Sequence, residues 1–276
     1  MKKFITLFAL IMVSIISLTG CSGGFRFLKA SEIKDLPNPT GKIYLCIYNE
    51  ETGEKYNDKD YVFEFELYYK SAPNTVANFI KLVDDGFYDG LMFENLMGYG
   101  KPFITFGQNE FFEEIIYDED DEEKEIRRVY YKKELEPEFN IVGEFFVNGW
   151  EVEDENKVTS GAGSLIMVRK SFDRDDYEKT GNTNFNTAYA AFNIQVKAST
   201  VQYEESFCVF GKLTTLPSGI FSSAGVEQEL LDFFFNNNDH SYNANYSTSN
   251  RIKFMISKIE MDADTADYGN PLRVGV

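Results

Sequence analysis

The chain has 276 residues, of which 43% are hydrophobic and 16% aromatic, and its formal charge at pH 7 is −18. That length and apolar content suit one large domain with a packed core, or one domain with a tail. The charge argues against nucleic acid as a partner, because phosphate binding needs clustered Lys and Arg. At the N-terminus Lys2 and Lys3 precede an apolar run over residues 4–18, the arrangement of an export signal. The run is shorter than the roughly 20 residues that cross a bilayer core. Residues 22–40 are punctuated by Gly, Ser and Pro37-Asn38-Pro39 and hold no period, which predicts a tether.

A domain is predicted from residue 41 to 261. Ile43, Leu45 and Ile47 alternate with Tyr44 and Cys46, and Phe63, Phe65 and Leu67 alternate with Glu64 and Glu66. These period-two runs predict an antiparallel hairpin. A helix follows: Pro73 suits the first turn, Val76, Phe79, Ile80 and Val83 form one apolar stripe, and Asp85-Gly86 ends it. Asp89-Gly90 predicts a tight turn into a strand. An insertion falls at about residues 113–135. Within it, residues 118–125 hold seven acidic side chains against one Lys, which predicts a solvated loop. Calcium is the sharper alternative there, although the run lacks the usual alternating spacing of loop ligands. Arg127, Arg128, Lys132 and Lys133 follow and can neutralise the run internally. Further strands are predicted at 163–169, 192–196 and 208–213, a polar loop at 171–186, and a second helix at 223–235. Ile252, Phe254 and Ile256 predict a closing strand, and 262–276 a loose tail. Cys46 and Cys208 sit in apolar runs and read as buried free thiols; their spacing does not decide for or against a disulfide. His240 is the only His and lies in an Asn-rich stretch, so any His-based triad or metal site would have to run through a loop residue. The Gly-rich stretch at 158–163 precedes a strand and opens no helix, which argues against a phosphate loop. Trp150 reads as a core residue.

Several blocks together resemble the cyclophilin-type peptidyl-prolyl isomerases. They are Ala72-Pro73-Asn74-Thr75-Val76-Ala77-Asn78-Phe79, Gly86-Phe87-Tyr88-Asp89-Gly90, Phe93-Glu94-Asn95 and Phe103-Ile104-Thr105-Phe106-Gly107-Gln108. Gly163-Ser164-Leu165-Ile166-Met167-Val168-Arg169, Phe192-Asn193-Ile194 and Cys208-Val209-Phe210-Gly211 resemble later strands of the same family. The resemblance covers roughly residues 41–261. It implies a mainly β fold, a closed antiparallel barrel with two capping helices, and no cofactor. Residues 18–21, Leu-Thr-Gly-Cys, resemble a bacterial lipobox, which implies lipidation of Cys21 and removal of residues 1–20. The implied location is the outer face of a bacterial cell membrane, lipid-anchored. The implied partners are proline-containing peptides or exported proteins.

Prolyl isomerisation needs neither nucleophile nor metal. Its barrier is amide resonance, about 18–20 kcal/mol, and a catalyst must bind the twisted peptide better than the planar one. In this family an apolar pocket grips the proline and an arginine donates toward its nitrogen. The resemblance implies a pocket from Phe103, Met167 and Phe192. The catalytic arginine position falls on Asn95. Other pocket positions fall on Phe106, Asn193 and Phe207. A neutral donor contributes ~0.5–1.5 kcal/mol against ~1.5–3 for a charged one, so the resemblance implies a degenerate site with weakened catalysis, or a binding module without it. Arg169 is a second candidate cation.

Overall fold

The computed structural model describes residues 26–47, 55, 59–94, 103–118, 121–134, 138–170, 173–197, 203–217, 225–235 and 254–274. The two alternating runs form β1 (Thr40–Ile47) and β2 (Tyr61–Leu67), antiparallel, with Ile43 opposite Phe63. Their inward positions are buried and their Glu64 and Glu66 positions half-buried, as period two requires. The stripe helix is α1 (Pro73–Asp84), with Pro73 in its first turn. Then come β3 (Met92–Glu94), β4 (Phe103–Asp118), β5 (Asp121–Glu134), β6 (Asn140–Ile141) and β7 (Ser164–Met167). The rest are α2 (Arg174–Thr180), β8 (Phe192–Gln195), α3 (Tyr203–Ser206), β9 (Val209–Thr215), α4 (Val226–Phe235), β10 (Phe254–Met261) and β11 (Arg273–Val274).

The sheet runs β3-β10-β1-β2-β9-β7-β8-β4, every pair antiparallel, and β3 also pairs with β4. That last pairing closes the ring into a barrel, which removes sheet edges. Aromatic rings fill the interior. Phe79 reaches from α1 to Phe65, Tyr88, Phe192 and Phe210 at centroid distances of 5.8, 5.2, 5.5 and 5.3 Å. From α4, Phe233 packs on Phe254 at 5.3 Å and Phe234 stacks on Phe63 at 5.9 Å. Gly107 has φ +78, and a Cβ there would stand 3.0 Å from the Tyr88 ring and 3.2 Å from the Ala190 carbonyl. Its backbone and its surroundings both demand glycine.

Four expectations change. The described residues of the acidic run are strand, not loop: β4 ends at Asp118 and β5 begins at Asp121, the two pairing as an antiparallel arm. The flanking Phe, Ile, Val and Tyr residues of the sequence favour strand despite the charge. The polar stretch 171–186 contains α2, supported by an Arg174–Glu178 ion pair one turn apart (3.0 Å). The expected tether is anchored over residues 26–39. Arg26 pairs with Glu32 at 2.6 Å, Phe27 packs on Trp150 at 5.2 Å, and the Tyr268 hydroxyl donates to the Pro37 carbonyl at 2.8 Å. The expected tail is likewise tied down: β11 pairs with β6, and the Arg273 guanidinium lies 3.8 Å over the Phe139 ring. Cys46 and Cys208 are buried and free. The expected export signal, Cys21, Asn95 and His240 lie outside the described residues.

Candidate functional site

The side-chain rows of β4, β7 and β8 decide what the barrel can offer a ligand. Phe106 faces Phe192, and Phe192 faces Met167 across the next pair. The rings of Phe106 and Phe192 stack at 5.8 Å. All three side chains are buried, at 0%, 0% and 2% exposure for Phe106, Phe192 and Met167. They share the row parity of Ile104, Ile194 and Leu165, which is the barrel interior. The expectation that Phe106, Met167 and Phe192 line a peptide groove is therefore corrected: they form the core. Matching letters between sequences does not carry the strand face, and one step in register turns every side chain over.

The opposite face carries a different row. Phe103, half-buried, stands opposite Gln195, and Thr105 stands opposite Asn193; Thr105 and Gln195 are buried, so Phe103 and Asn193 are the accessible members of this row. The Thr105 hydroxyl donates to Asn193 Oδ1 at 2.6 Å. Asn193 is half-buried as expected for a surface position, and its acceptor is already engaged. Gln195 Nε2 donates to the Lys197 carbonyl at 3.1 Å, while its Oε1 is buried with no partner among the described residues. Thr105 and Gln195 were not singled out from sequence; their only signal was the parity that places them beside Phe103 and Asn193.

Phe207 and Arg169 meet at the corner where β7 ends and the chain enters β9. Backbone bonds fix this corner: Met167 N–H to the Cys208 carbonyl at 2.9 Å, and Val168 N–H to the Ala191 carbonyl at 2.8 Å. The Arg169 guanidinium lies over three rings, Phe207 at 4.7 Å, Phe185 at 5.0 Å and Phe145 at 5.4 Å. Its Nη2 donates to the Ser206 carbonyl and Nη1 to the Lys170 carbonyl, both at 3.2 Å, and its Nε is buried without an acceptor among the described residues. Burial lowers its pKa from the ordinary value, yet an arginine stays cationic at neutral pH. A guanidinium held by rings keeps donor capacity for a peptide carbonyl or carboxylate.

A buried carboxylate supports this region from behind. The residue before α1, Ala72, supplies no side-chain cap. Glu144 does so instead, accepting from the Asn74 N–H at 2.9 Å and the Thr75 N–H at 2.8 Å. Burial pushes Glu144 up to about 7, against the downward pull of those two donors. Beside it Cys208 Sγ donates to Thr75 Oγ1 at 3.2 Å, and burial pushes that thiol far up, which removes it as a nucleophile. No local sequence pattern links Glu144 to a helix end some seventy positions away; the sole hint was an uncapped Ala72. Among the described residues no three His, Cys, Asp or Glu side chains gather as a metal site.

Comparison with known proteins adds the family. The model of the family described as cyclophilin type peptidyl-prolyl cis-trans isomerase/CLD matches residues 55–220, more than half of the chain. Two curated relatives match over short stretches. Peptidyl-prolyl cis-trans isomerase B of Bacillus subtilis is 62% identical over 34 residues, 12% of this chain and 24% of that protein. A peptidyl-prolyl cis-trans isomerase of Synechococcus elongatus is 56% identical over 32 residues, 12% of this chain and 22% of that protein. The matched stretches thus span about a quarter of those relatives. Among solved structures, a cyclophilin type isomerase of Cryptosporidium parvum aligns at 15% identity and a TM-score of 0.41, over 83% of this chain and 100% of that one. The cyclophilin AquaCyp293 of Hirschia baltica aligns at 14% identity and a TM-score of 0.36, over 87% of this chain and 83% of that one. On the family match, carried by the barrel and helices described above, the chain belongs to the cyclophilin type peptidyl-prolyl cis-trans isomerase/CLD family.

Proposed function

We propose that this protein is a membrane-anchored, extracytoplasmic isomerase or folding helper of its family, with a degenerate prolyl groove. The observation that carries the reading is the row of residues facing away from the barrel interior. A family member needs apolar side chains and a cationic donor there, and this chain offers Phe103 beside a hydrogen-bonded Thr105–Asn193 pair. Three other apolar candidates, Phe106, Met167 and Phe192, are used up in the core. Asn95 holds the position of the catalytic arginine and supplies a neutral donor. Replacing a charged hydrogen bond by a neutral one weakens transition-state binding by roughly 1.4 kcal/mol, a factor of about ten in rate. Arg169, held on its three rings, is a cation that can reach a bound carbonyl from the neighbouring corner.

Proline-containing segments of exported proteins are the partners this reading implies. Lys2, Lys3, the apolar run and Cys21 support export and lipid anchoring. A second reading, a peptide-binding module without catalysis, is favoured by one observation: the Asn193 acceptor is occupied by Thr105, which stiffens the row without adding a group that acts on the prolyl nitrogen. NMR exchange on a short Ala-Pro peptide separates the two. Peptide shifts with weak cis–trans exchange growing with protein concentration are expected; shifts without exchange establish the binding module, and absence of both refutes the groove. For the anchor, Cys21→Ala is expected to move the protein from the detergent phase to the aqueous phase on phase separation. Unchanged partitioning would refute it.

A further inference from the structure

A cavity of about 580 Å3 lies away from the β4–β8 row, between the turn at residues 145–150 and the start of β9. That volume is in the range of sites that hold ligands or side chains, ~300–1,000 Å3. Its walls are aromatic: Phe145, Trp150 and Phe207 line it. Its lip is apolar and exposed. Phe146 and Val147 stand 66% and 52% exposed, and they make up two of the three large hydrophobic side chains so exposed among the described residues. Nothing in the packing of the barrel requires this. The 3-10 turn over residues 146–148 presents them outward, while Phe145 and Trp150 on either side turn inward.

One cation already lies over two of these walls: the Arg169 guanidinium sits on the Phe145 and Phe207 rings and is bonded to the Lys170 and Ser206 carbonyls. The remaining charge at the mouth is acidic. Glu151 and Glu205 border it, both exposed, and neither forms an ion pair with a described residue. The one basic residue at the rim, Lys157, is paired with Asp154 at 2.5 Å. Glu144 also borders the cavity, but its oxygens are committed to the first turn of α1. With Arg169 on the Phe145 and Phe207 rings, the Trp150 ring and the carboxylates at the mouth are what attract a further ammonium or guanidinium and repel an anion. Exposed Phe146 and Val147 add apolar area for the residues on either side of that cation.

We propose that this cavity is a second docking site, specific for a partner segment in which a Lys or Arg is flanked by apolar residues. It shares Phe207 with the positions assigned to the prolyl groove, is otherwise built from different residues, and does not depend on catalysis there. A client held at this cavity is kept beside the groove through two attachments, which raises its effective concentration at the first site.

Trp150 is the only Trp in the chain, so its emission reports this face of the molecule, and the Glu205 and Phe146 substitutions, which touch this cavity and not the neighbouring one that Trp150 also borders, assign the signal. The test is a titration of the protein with Ac-Leu-Lys-Leu-NH2, Ac-Leu-Glu-Leu-NH2 and Ac-Leu-norleucine-Leu-NH2, none of which contains proline or an aromatic group. Saturable change of Trp150 emission with the Lys peptide is expected, with at least tenfold weaker binding of the Glu peptide. The double variant Glu151→Gln/Glu205→Gln, at exposed positions, is expected to weaken the Lys peptide at least threefold and bring it level with the norleucine peptide. Phe146→Ser is expected to weaken all three. Equal affinities for the three peptides, an unaltered Lys affinity in the double variant, or no emission change at 10 mM peptide (~ the weak end of single-side-chain binding) would each overturn the proposal. Ala-Pro exchange followed in the same samples reports the groove independently: its failure with a positive Trp150 signal refutes the groove and leaves the cavity standing.

Discussion

Phe79 sends its ring from α1 into the barrel, against Phe65, Tyr88, Phe192 and Phe210. Its removal leaves a void that four rigid rings cannot fill. Phe79→Ala is expected to destabilise the protein by about 3–5 kcal/mol in urea denaturation; a loss under 1 kcal/mol would mean that the core collapses onto the gap. This residue was legible, because its spacing from Val76, Ile80 and Val83 fixes an inward stripe. Phe106, Met167 and Phe192 were legible as apolar but not as interior, since family letters say which residue is present and cross-strand register says where it points. Glu144 gives a pH dependence. Its folded value, about 7, lies above the ordinary value of 4.5. A raised carboxyl contributes stability that is complete below the unfolded value and is lost as pH rises through the folded one. Between pH 4.5 and about 7 the loss is expected to be about 3 kcal/mol from this group. Comparing urea midpoints at pH 5 and 8 with those of Glu144→Gln checks it: the variant is expected to show a flatter profile, and identical profiles would contradict the assignment.

The β4–β5 arm and the C-terminal segment look alike in sequence, polar and without a long period, yet their structural roles differ. Beyond Asn109 the arm pairs only with itself among the described residues, and the ring closes through β3 on Phe106, Thr105 and Asn109. Replacing residues 110–133 by Gly-Asn-Gly is therefore expected to leave the main thermal transition within about 1 kcal/mol of the original, since shortening a connection changes closure entropy only slowly. Loss of cooperative unfolding would show that the arm carries the barrel. The C-terminal segment is expected to behave in the opposite way. Leu272 donates its N–H to Asn74 Oδ1 at 2.5 Å and accepts from Asn74 Nδ2 at 3.2 Å, β11 pairs with β6, and Tyr268 packs on Tyr69 at 5.0 Å. Deleting residues 262–276 is expected to cost about 2–4 kcal/mol, from several net hydrogen bonds of ~0.5–1.5 kcal/mol each. Elements held by their own apolar period, such as β1, β2, α1 and α4, could be read directly. Contacts made by distant side chains, such as Asn74 and Tyr69 on the C-terminal segment or Glu144 at the start of α1, leave no local mark.

As a whole the molecule is an antiparallel barrel closed by the three residues of β3, with a polar-leaning outward row on β4 and β8 and an arginine on three rings at the next corner. Its fold class was readable because periodic strands and two amphipathic helices agree with one another at every level. Its working surface was less so, because chemistry in this family depends on one cation and a few apolar side chains whose facing is a property of the whole ring. The charge of −18 adds a long-range preference for cationic partners. We propose that this family member carries a groove weakened by the neutral Asn95 at the arginine position. The measurement that tests it most directly is Ala-Pro exchange by NMR on the protein and on Asn95→Arg. Slow exchange is expected in the natural sequence, with a rise of about tenfold in the variant. Fast exchange in the natural protein that Asn95→Arg leaves unchanged would contradict it.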